Sequence, residues 1–232
     1  MINFTKISNI SLNLKPYPWV MINDLFNTKD ATALAKTFPT DHYKTLQGCD
    51  GEKGYFYNAR SLVHMGNNRV SFSNELSDSW LELTKDLLSK QYRESMSLLT
   101  GYDLTTIPFE ANTYHYDHGA YLGPHIDLCE KLVVHVQYFN ESWQSEQGGC
   151  LAILNSPDPN DIAFEVLPVV GNSVVFVRSN HSWHEVKRVN NIFNDSRRSL
   201  VVTFYKPGSI STMWPPKVTP SLHRHTNLIV NT

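Results

Sequence analysis

Short stretches of alternating β-branched and aromatic residues, separated by turn residues, run from Tyr102 to Tyr205 and constrain the fold more than any other feature. Such alternation is typical of half-buried strands, because successive side chains of a strand point to opposite faces. The pattern predicts strands near residues 107–116, 122–128, 131–139, 150–154, 163–167, 173–178, 184–189 and 198–205. Many short strands at regular spacing favour a sandwich or a jelly roll.

The residues before Tyr102 combine helical patterns with one short strand. Apolar spacing, N-caps and terminating prolines or glycines predict a strand at residues 16–24, a helix from Asn27 to Pro39, a second helix from Ser73, and a helical turn near residues 92–99 that ends at Gly101. Residues 41–72 are polar and dotted with glycine but keep several aromatic residues. We therefore expect a loop there that folds over the rest of the protein.

Length and the absence of repeats predict a single domain over residues 1–232. Within it we expect mostly helical support and the substrate loop in residues 1–101, a jelly-roll core in residues 102–206 and a tail in residues 207–232.

Composition argues against several classes of partner. A net charge of −2 offers no basic surface for nucleic acid, and no apolar run approaches the roughly 18 residues of a membrane span. The cysteines are odd in number and widely spaced, which favours a reducing compartment over a disulfide framework. Because the first residues also lack the apolar core of a signal peptide, we expect a cytoplasmic protein.

A possible metal site begins with His125-x-Asp127. On a strand, residues two positions apart share a face, so an imidazole and a carboxylate would point the same way. Together they supply two of the three ligands of the facial triad that holds non-haem Fe(II). The pair alone is common by chance, but here it ends the longer pattern Tyr116-x-x-Gly119-x-x-Leu122-x-x-His125-x-Asp127.

The third ligand should be a histidine from a later strand. The candidates are His181, His184, His223 and His225. His184 is best placed, because it follows an apolar strand and opens the next one, whereas His181 falls three residues too early for that strand.

A basic and hydroxyl pair follows the candidate ligands. Arg197 and Ser199 share one face of the last predicted strand, and this combination suits a buried carboxylate. Counting back from Tyr205 favours Arg198 instead, but the hydroxyl on the same face makes Arg197 the preferred candidate, with Arg198 as the alternative.

These pieces together resemble the Fe(II)- and 2-oxoglutarate-dependent oxygenases, in particular the branch that contains the prolyl 4-hydroxylases. The resemblance rests on the His125-x-Asp127 pattern, Tyr138-Phe139-Asn140-x-x-Trp143, Gly148-Gly149-Cys150-Leu151, His184-x-Val186 and Arg197-x-Ser199, in that order, and on the strand and helix that begin at Tyr17-Pro18-Trp19. It implies a mainly β fold, a double-stranded β-helix (jelly roll) packed by N-terminal α-helices.

The resemblance also implies cofactors and roles. Fe(II) would be held by His125, Asp127 and His184, the catalytic centre, with O₂ as oxidant and ascorbate as a supportive reductant. The 2-oxoglutarate co-substrate would be bound by Arg197 with Ser199, or by Arg198, and Tyr138 matches a tyrosine that touches the same carboxylate in some relatives. Related halogenases carry a small residue at the position of Asp127, so the carboxylate favours hydroxylation, although desaturation and cyclisation use the same cofactors.

The substrate is less constrained than the cofactors. Tyr57, Arg60, Tyr114 and Tyr116 are the candidate substrate contacts, and their aromatic character suits a small molecule, either a free amino acid or a natural-product intermediate. A peptide or protein prolyl-type hydroxylase is one alternative. A jelly-roll protein that binds metal without catalysis is another, and a cupin-type dioxygenase that works without 2-oxoglutarate is a third.

Overall fold

The structure is a computed structural model that describes residues 1–50, 53–66, 68–190, 195–211 and 213–214. The α-helices are α1 (Phe4–Asn9), α2 (Thr28–Lys36), α3 (Asp78–Leu88) and α4 (Lys90–Thr100). The strands are β1 (Trp19–Ile22), β2 (Lys44–Asp50), β3 (Lys53–His64), β4 (Arg69–Val70), β5 (Phe109–Tyr116), β6 (Tyr121–His125), β7 (Lys131–Tyr138), β8 (Leu151–Leu154), β9 (Ile162–Val166), β10 (Ser173–Val177), β11 (His184–Val186) and β12 (Arg197–Tyr205).

The strands form one antiparallel, nearly closed sheet with the order β1-β10-β7-β12-β5-β3-β6-β11-β8-β9. Strand β3 joins its two halves: residues 58–63 pair with β5, whereas Tyr55 and Phe56 pair with β6. The larger half, β1-β10-β7-β12-β5, therefore faces the smaller half, β6-β11-β8-β9. This arrangement is a jelly-roll-like barrel, and the predicted fold class is confirmed.

Alternation along β12 decides which side chains enter the barrel. Leu200, Val202 and Phe204 pack outward in a cluster with the helices, while the residues between them, from Arg197 to Tyr205, line the interior cavity. Burying each large apolar side chain on the outer face contributes about 1.5–3 kcal/mol, so the helical layer fixes the register of the strand.

The helices form where capping and apolar spacing agree. The Ser77 and Ser89 side chains accept hydrogen bonds from the first turns of α3 and α4, and α4 ends at Gly101 in the left-handed conformation. Trp80 of α3 is fully buried and its indole donates to the Leu34 carbonyl of α2 at 3.1 Å. No described helix has the length and apolar character that a membrane span requires.

The predicted strands between 107 and 205 all appear, with ends shifted by a few residues. The loop predicted at residues 41–72 is wrong, because most of that segment is the β2–β3 hairpin, which pairs from Lys44 with Ala59 to Asp50 with Lys53. Helix α1 was also not predicted from the sequence. The division into three segments stays a prediction, and most of the predicted tail at 207–232 lies outside the described residues.

Candidate metal and co-substrate site

The barrel encloses a cavity of about 750 Å³ that both halves of the sheet line. Its wall includes Tyr57, Glu110, Tyr114, Tyr116, His125, Asp127, Lys131, Trp183, His184, Arg197, Ser199, Thr203, Tyr205 and Met213. Eight of the eleven sequence-predicted site residues thus meet in one place, although they come from strands far apart in the chain, while Tyr138, Arg60 and Arg198 are not part of the lining.

The pairing of β6 with β11 brings the candidate metal ligands together. His184 is the direct partner of His125 in this antiparallel pair, and their ring centroids lie 4.2 Å apart. Asp127 follows the end of β6, with its Oδ1 atom 4.0 Å from His125 Nε2 and its Oδ2 atom 3.8 Å from His184 Nε2. All three residues are buried, and one ligand atom from each lies within 4.8 Å of the others.

Backbone carbonyls orient both imidazoles. His125 Nδ1 lies 2.9 Å from the Gly123 carbonyl oxygen, and His184 Nδ1 lies 2.9 Å from that of Ser182. A carbonyl can only accept, so each Nδ1 carries the proton and each Nε2 keeps its lone pair. Because outer-shell bonds of this kind fix the tautomer of metal-binding histidines, the two Nε2 atoms and the carboxylate form a donor set that suits Fe(II).

Lys131 is a neighbour of this cluster that the sequence analysis did not single out. Its Nζ atom donates to Asp127 Oδ1 at 2.5 Å. Burial acts to raise the pKa of the Asp127 carboxyl, but Lys131 and the two histidines outweigh it and hold the pKa well below its usual range. The carboxylate is therefore ionised and ready to coordinate a cation.

A second polar site lies deeper in the cavity, around Arg197. The guanidinium is almost fully buried, with Nε donating to the Gly149 carbonyl at 2.6 Å and one terminal nitrogen donating to Ser199 Oγ at 3.0 Å. Its Cζ atom lies 4.9 Å from the ring centroid of Tyr116 and 5.2 Å from that of Tyr138.

Arg197 has no anionic partner among the described residues. Whereas Arg198 pairs with Asp195, no carboxylate in the described parts of the chain forms an ion pair with Arg197. The buried Tyr138 hydroxyl likewise finds no hydrogen-bond partner among the described residues. A buried charge without a counter-charge is costly. A ligand carboxylate at this point would supply the missing counter-charge of the guanidinium, so the residues present fit 2-oxoglutarate.

Gly149 lies directly against the Arg197 side chain. At Gly149, φ is +68°, and a Cβ atom would meet Arg197 Cδ at 3.2 Å. The absence of a side chain there lets the arginine pass close to the backbone whose carbonyl it binds.

Two of the arginines considered in the sequence analysis do not line the cavity. Arg198 is on the opposite face of β12, where it donates to the Ala35 carbonyl and pairs with Asp195. Arg60 is buried on the outer face of β3 and pairs with Asp41 at 3.1 Å. The expected substrate contact for Arg60 and co-substrate contact for Arg198 are therefore replaced by structural roles, because strand alternation points both side chains away from the cavity.

Of the alternative histidines, His181 is exposed on the loop before β11 and does not line the cavity, while His223 and His225 lie outside the described residues. The predicted substrate contacts Tyr57, Tyr114 and Tyr116 do line the cavity, as neighbours on β3 and β5.

Glu110 and Met213 also line the cavity and were not predicted from the sequence. Glu110 lies on β5 at even spacing from Tyr114 and Tyr116, so alternation along the strand could have found it. Met213 depends on tertiary structure alone: its sulfur accepts a hydrogen bond from the Tyr114 hydroxyl at 3.1 Å, and the adjacent Trp214 donates to Asn112 Oδ1 at 2.7 Å. No pattern in the sequence around Met213 predicts that contact.

Comparison with known proteins defines the class. Residues 111–205, the segment that contains the complete His125, Asp127 and His184 cluster and Arg197, match the family model of the 2OG-Fe(II) oxygenase superfamily. This segment is therefore similar to that superfamily, an enzyme family that uses Fe(II), 2-oxoglutarate and O₂, and the predicted recognition and enzyme class are confirmed.

Solved structures of prolyl-4-hydroxylase type share the fold. A prolyl-4-hydroxylase from Pseudomonas putida aligns with a TM-score of 0.58 at 22% identity, over 81% of this chain and 92% of that one. A prolyl hydroxylase from Trichoplax adhaerens, solved with a hypoxia inducible factor peptide, gives a TM-score of 0.58 at 15% identity, over 87% and 88% of the two chains.

The fold also extends to an enzyme of a natural-product pathway. SnoN, a non-heme alpha-ketoglutarate-dependent epimerase from nogalamycin biosynthesis, aligns with a TM-score of 0.53 at 12% identity, over 92% of this chain and 88% of that one. No curated protein matches this chain.

Proposed function

We propose that this protein is an Fe(II)- and 2-oxoglutarate-dependent dioxygenase that hydroxylates an unactivated C–H bond of a small molecule. The observation that carries the proposal is the meeting, in one cavity, of the His125, Asp127 and His184 cluster with a buried Arg197 that has no anionic partner among the described residues. A site that only binds metal has no need of the second feature.

In this proposal His125 Nε2, Asp127 and His184 Nε2 hold Fe(II), and Arg197 and Ser199 bind the distal carboxylate of 2-oxoglutarate, with Tyr138 as a further donor. When bound, Fe(II) and 2-oxoglutarate supply the oxidation of a C–H bond by O₂, coupled to release of succinate and CO₂. Ascorbate would serve as a supporting reductant.

The chain's own residues bind, orient and exclude water. The carbonyls of Gly123 and Ser182 fix the imidazole tautomers, and the guanidinium of Arg197 sets the direction from which an extended dicarboxylate enters. Apolar and aromatic side chains from both halves of the barrel, among them Phe176 and Val136, exclude water around the cluster.

The residues that lie over one side of the cavity favour a small substrate over a peptide. Met213 lines the cavity and is held by Tyr114, while Trp214 is anchored to Asn112 on the inner face of β5. Met213 therefore lies against one side of the cavity, and the cavity volume of about 750 Å³ falls in the range of small-molecule sites. A peptide would need an open groove along the same strands.

The test compares substrate classes with succinate formation and product mass as readouts. Protein with Fe(II), 2-oxoglutarate and ascorbate under air is supplied either with pools of free amino acids and other small metabolites or with proline-containing peptides. We expect small molecules to stimulate succinate formation and to gain one oxygen atom. Stimulation by the peptides alone would instead support the prolyl-type alternative.

Two histidines of the same segment provide the matched controls. His184→Ala should abolish succinate formation, because the metal loses a ligand, and His181→Ala, three residues earlier and exposed, should retain it. Metal binding by wild-type protein with no 2-oxoglutarate binding at all would support the non-catalytic metal-binding alternative.

A further inference from the structure

Glu110 is a buried carboxylate in the cavity wall that none of the roles above uses. It lies on the inner face of β5 and is 1% exposed. Its Oε1 atom accepts a hydrogen bond from the Tyr205 hydroxyl at 2.7 Å, whereas Oε2 has no hydrogen-bond partner among the described residues. One carboxylate oxygen is therefore held in place and the other is left for a ligand.

The charge of Glu110 is also uncompensated. In the described parts of the chain, no lysine, arginine or histidine forms an ion pair with it. Two other buried charges, Asp127 and Arg60, contrast with this, since they pair with Lys131 and Asp41. Burying a carboxylate with one neutral donor is unfavourable unless a bound group supplies the remaining donor or positive charge.

Strand register separates Glu110 from the co-substrate site. Glu110 pairs with Thr203 on β12, and Tyr116 pairs with Arg197, so the backbones at Glu110 and Tyr116 are about 20 Å apart along β5 at roughly 3.3 Å per residue. Tyr205 of β12, which binds Glu110, pairs with Lys131 of β7 on the other side. Lys131 in turn donates a hydrogen bond to Asp127. Glu110 therefore lies toward the Asp127 side of the cavity, at the opposite end from Arg197, where a substrate has room beside bound 2-oxoglutarate.

On this geometry, and resting on the proposed function, we propose that Glu110 binds a protonated amine of the substrate, so that the enzyme acts on small amine-bearing molecules. An ammonium group suits the site because it is a compact charge that needs only one acceptor, and Oε2 supplies it while the Tyr205 hydroxyl holds Oε1. Tyr57 and Tyr114 line the same cavity and offer aromatic faces to a cation.

The test uses a pair of probes that differ in charge alone. Benzylammonium chloride and benzyl alcohol, alike in ring and size, are titrated by calorimetry under anaerobic conditions into protein loaded with Fe(II) and 2-oxoglutarate. We expect wild-type protein to bind benzylammonium at least roughly tenfold more tightly, the magnitude of one hydrogen bond to a charged group. The variant Glu110→Gln should lose this preference, while Glu185→Gln, which removes a buried carboxylate outside the cavity, should keep it.

Damage to the cavity lowers the affinity for both probes. The ratio of the two affinities therefore reports recognition of the charged group and not the folding of the variant. Equal affinities in wild-type protein, or a preference that persists in Glu110→Gln, would overturn the proposal. The titration of 2-oxoglutarate that precedes the probes tests the proposed function independently. If the protein binds 2-oxoglutarate but shows no preference for the amine, the role of Glu110 is refuted and the proposed function stands. Absence of co-substrate binding removes the function, on which the inference rests.

Discussion

Replacing Arg197 with alanine should weaken 2-oxoglutarate binding by roughly 30- to 1,000-fold. A carboxylate held by a buried guanidinium forms charged hydrogen bonds worth about 1.5–3 kcal/mol each, and the loss of one strong or two weak bonds costs about 3 kcal/mol, which lies near the middle of that fold range. Ser199→Ala removes one neutral donor and should cost about 0.5–1.5 kcal/mol, a factor of about 2 to 13.

Two further variants make the Arg197 prediction specific. Arg197→Lys keeps the positive charge but not the planar fork, so its affinity should fall between those of wild type and Arg197→Ala. Arg198→Ala removes contacts with Ala35 and Asp195 on the outer face of β12 and should leave the co-substrate requirement unchanged.

The assay is succinate formation as a function of 2-oxoglutarate concentration, with anaerobic calorimetry as the direct measure of affinity. Far-UV circular dichroism checks that each variant is folded, because Arg197 also donates to the Gly149 carbonyl. An equal rise in the requirement for both alanine variants, or none in Arg197→Ala, would refute the assignment of the co-substrate site.

Two other predictions concern metal affinity and acid stability. Lys131→Met should tighten Fe(II) binding by about tenfold or more, because the ammonium at 2.5 Å competes with the metal for Asp127; anaerobic competition with a chelator measures this, and weaker binding would contradict it. Burial lowers the pKa of His135 to about 3 from the ordinary 6.5. Between these two pH values His135 is protonated in the unfolded chain but neutral in the folded protein. The free energy of unfolding therefore falls as the pH drops from 6.5 to about 3. His135→Gln should reduce this slope by at most about 1.4 kcal/mol per pH unit in denaturant titrations, and an unchanged slope would show that His135 plays no part.

Strand alternation explains why so much of the site was predictable. On β12 the period of two places Arg197 and Ser199 inside and Arg198 outside, and the sequence already favoured that choice from the hydroxyl at Ser199. The same rule predicted that His125 and Asp127 share a face. Local periodicity is sufficient here because an inner and an outer apolar layer both hold the register of the strand.

Other features depend on contacts that the sequence does not encode locally. The β2–β3 hairpin was interpreted as a loop because glycine and polar residues, including Gly48 and Gly54, interrupt its apolar pattern. The ion pair of Lys131 with Asp127 joins the start of a strand to the segment before it, and no periodicity marks it. Glu110 was overlooked because an acidic residue in a strand is ordinarily exposed, although its even spacing from Tyr114 and Tyr116 assigns it to the inner face of β5.

The most direct test of the central claim is the affinity for 2-oxoglutarate measured anaerobically with and without Fe(II), beside glutarate, which lacks the 2-keto oxygen. If the histidine and aspartate cluster and Arg197 hold one ligand together, Fe(II) should tighten 2-oxoglutarate binding by at least about tenfold and leave glutarate binding nearly unchanged. Binding of 2-oxoglutarate that is indifferent to Fe(II), in protein that demonstrably binds the metal, would contradict the account.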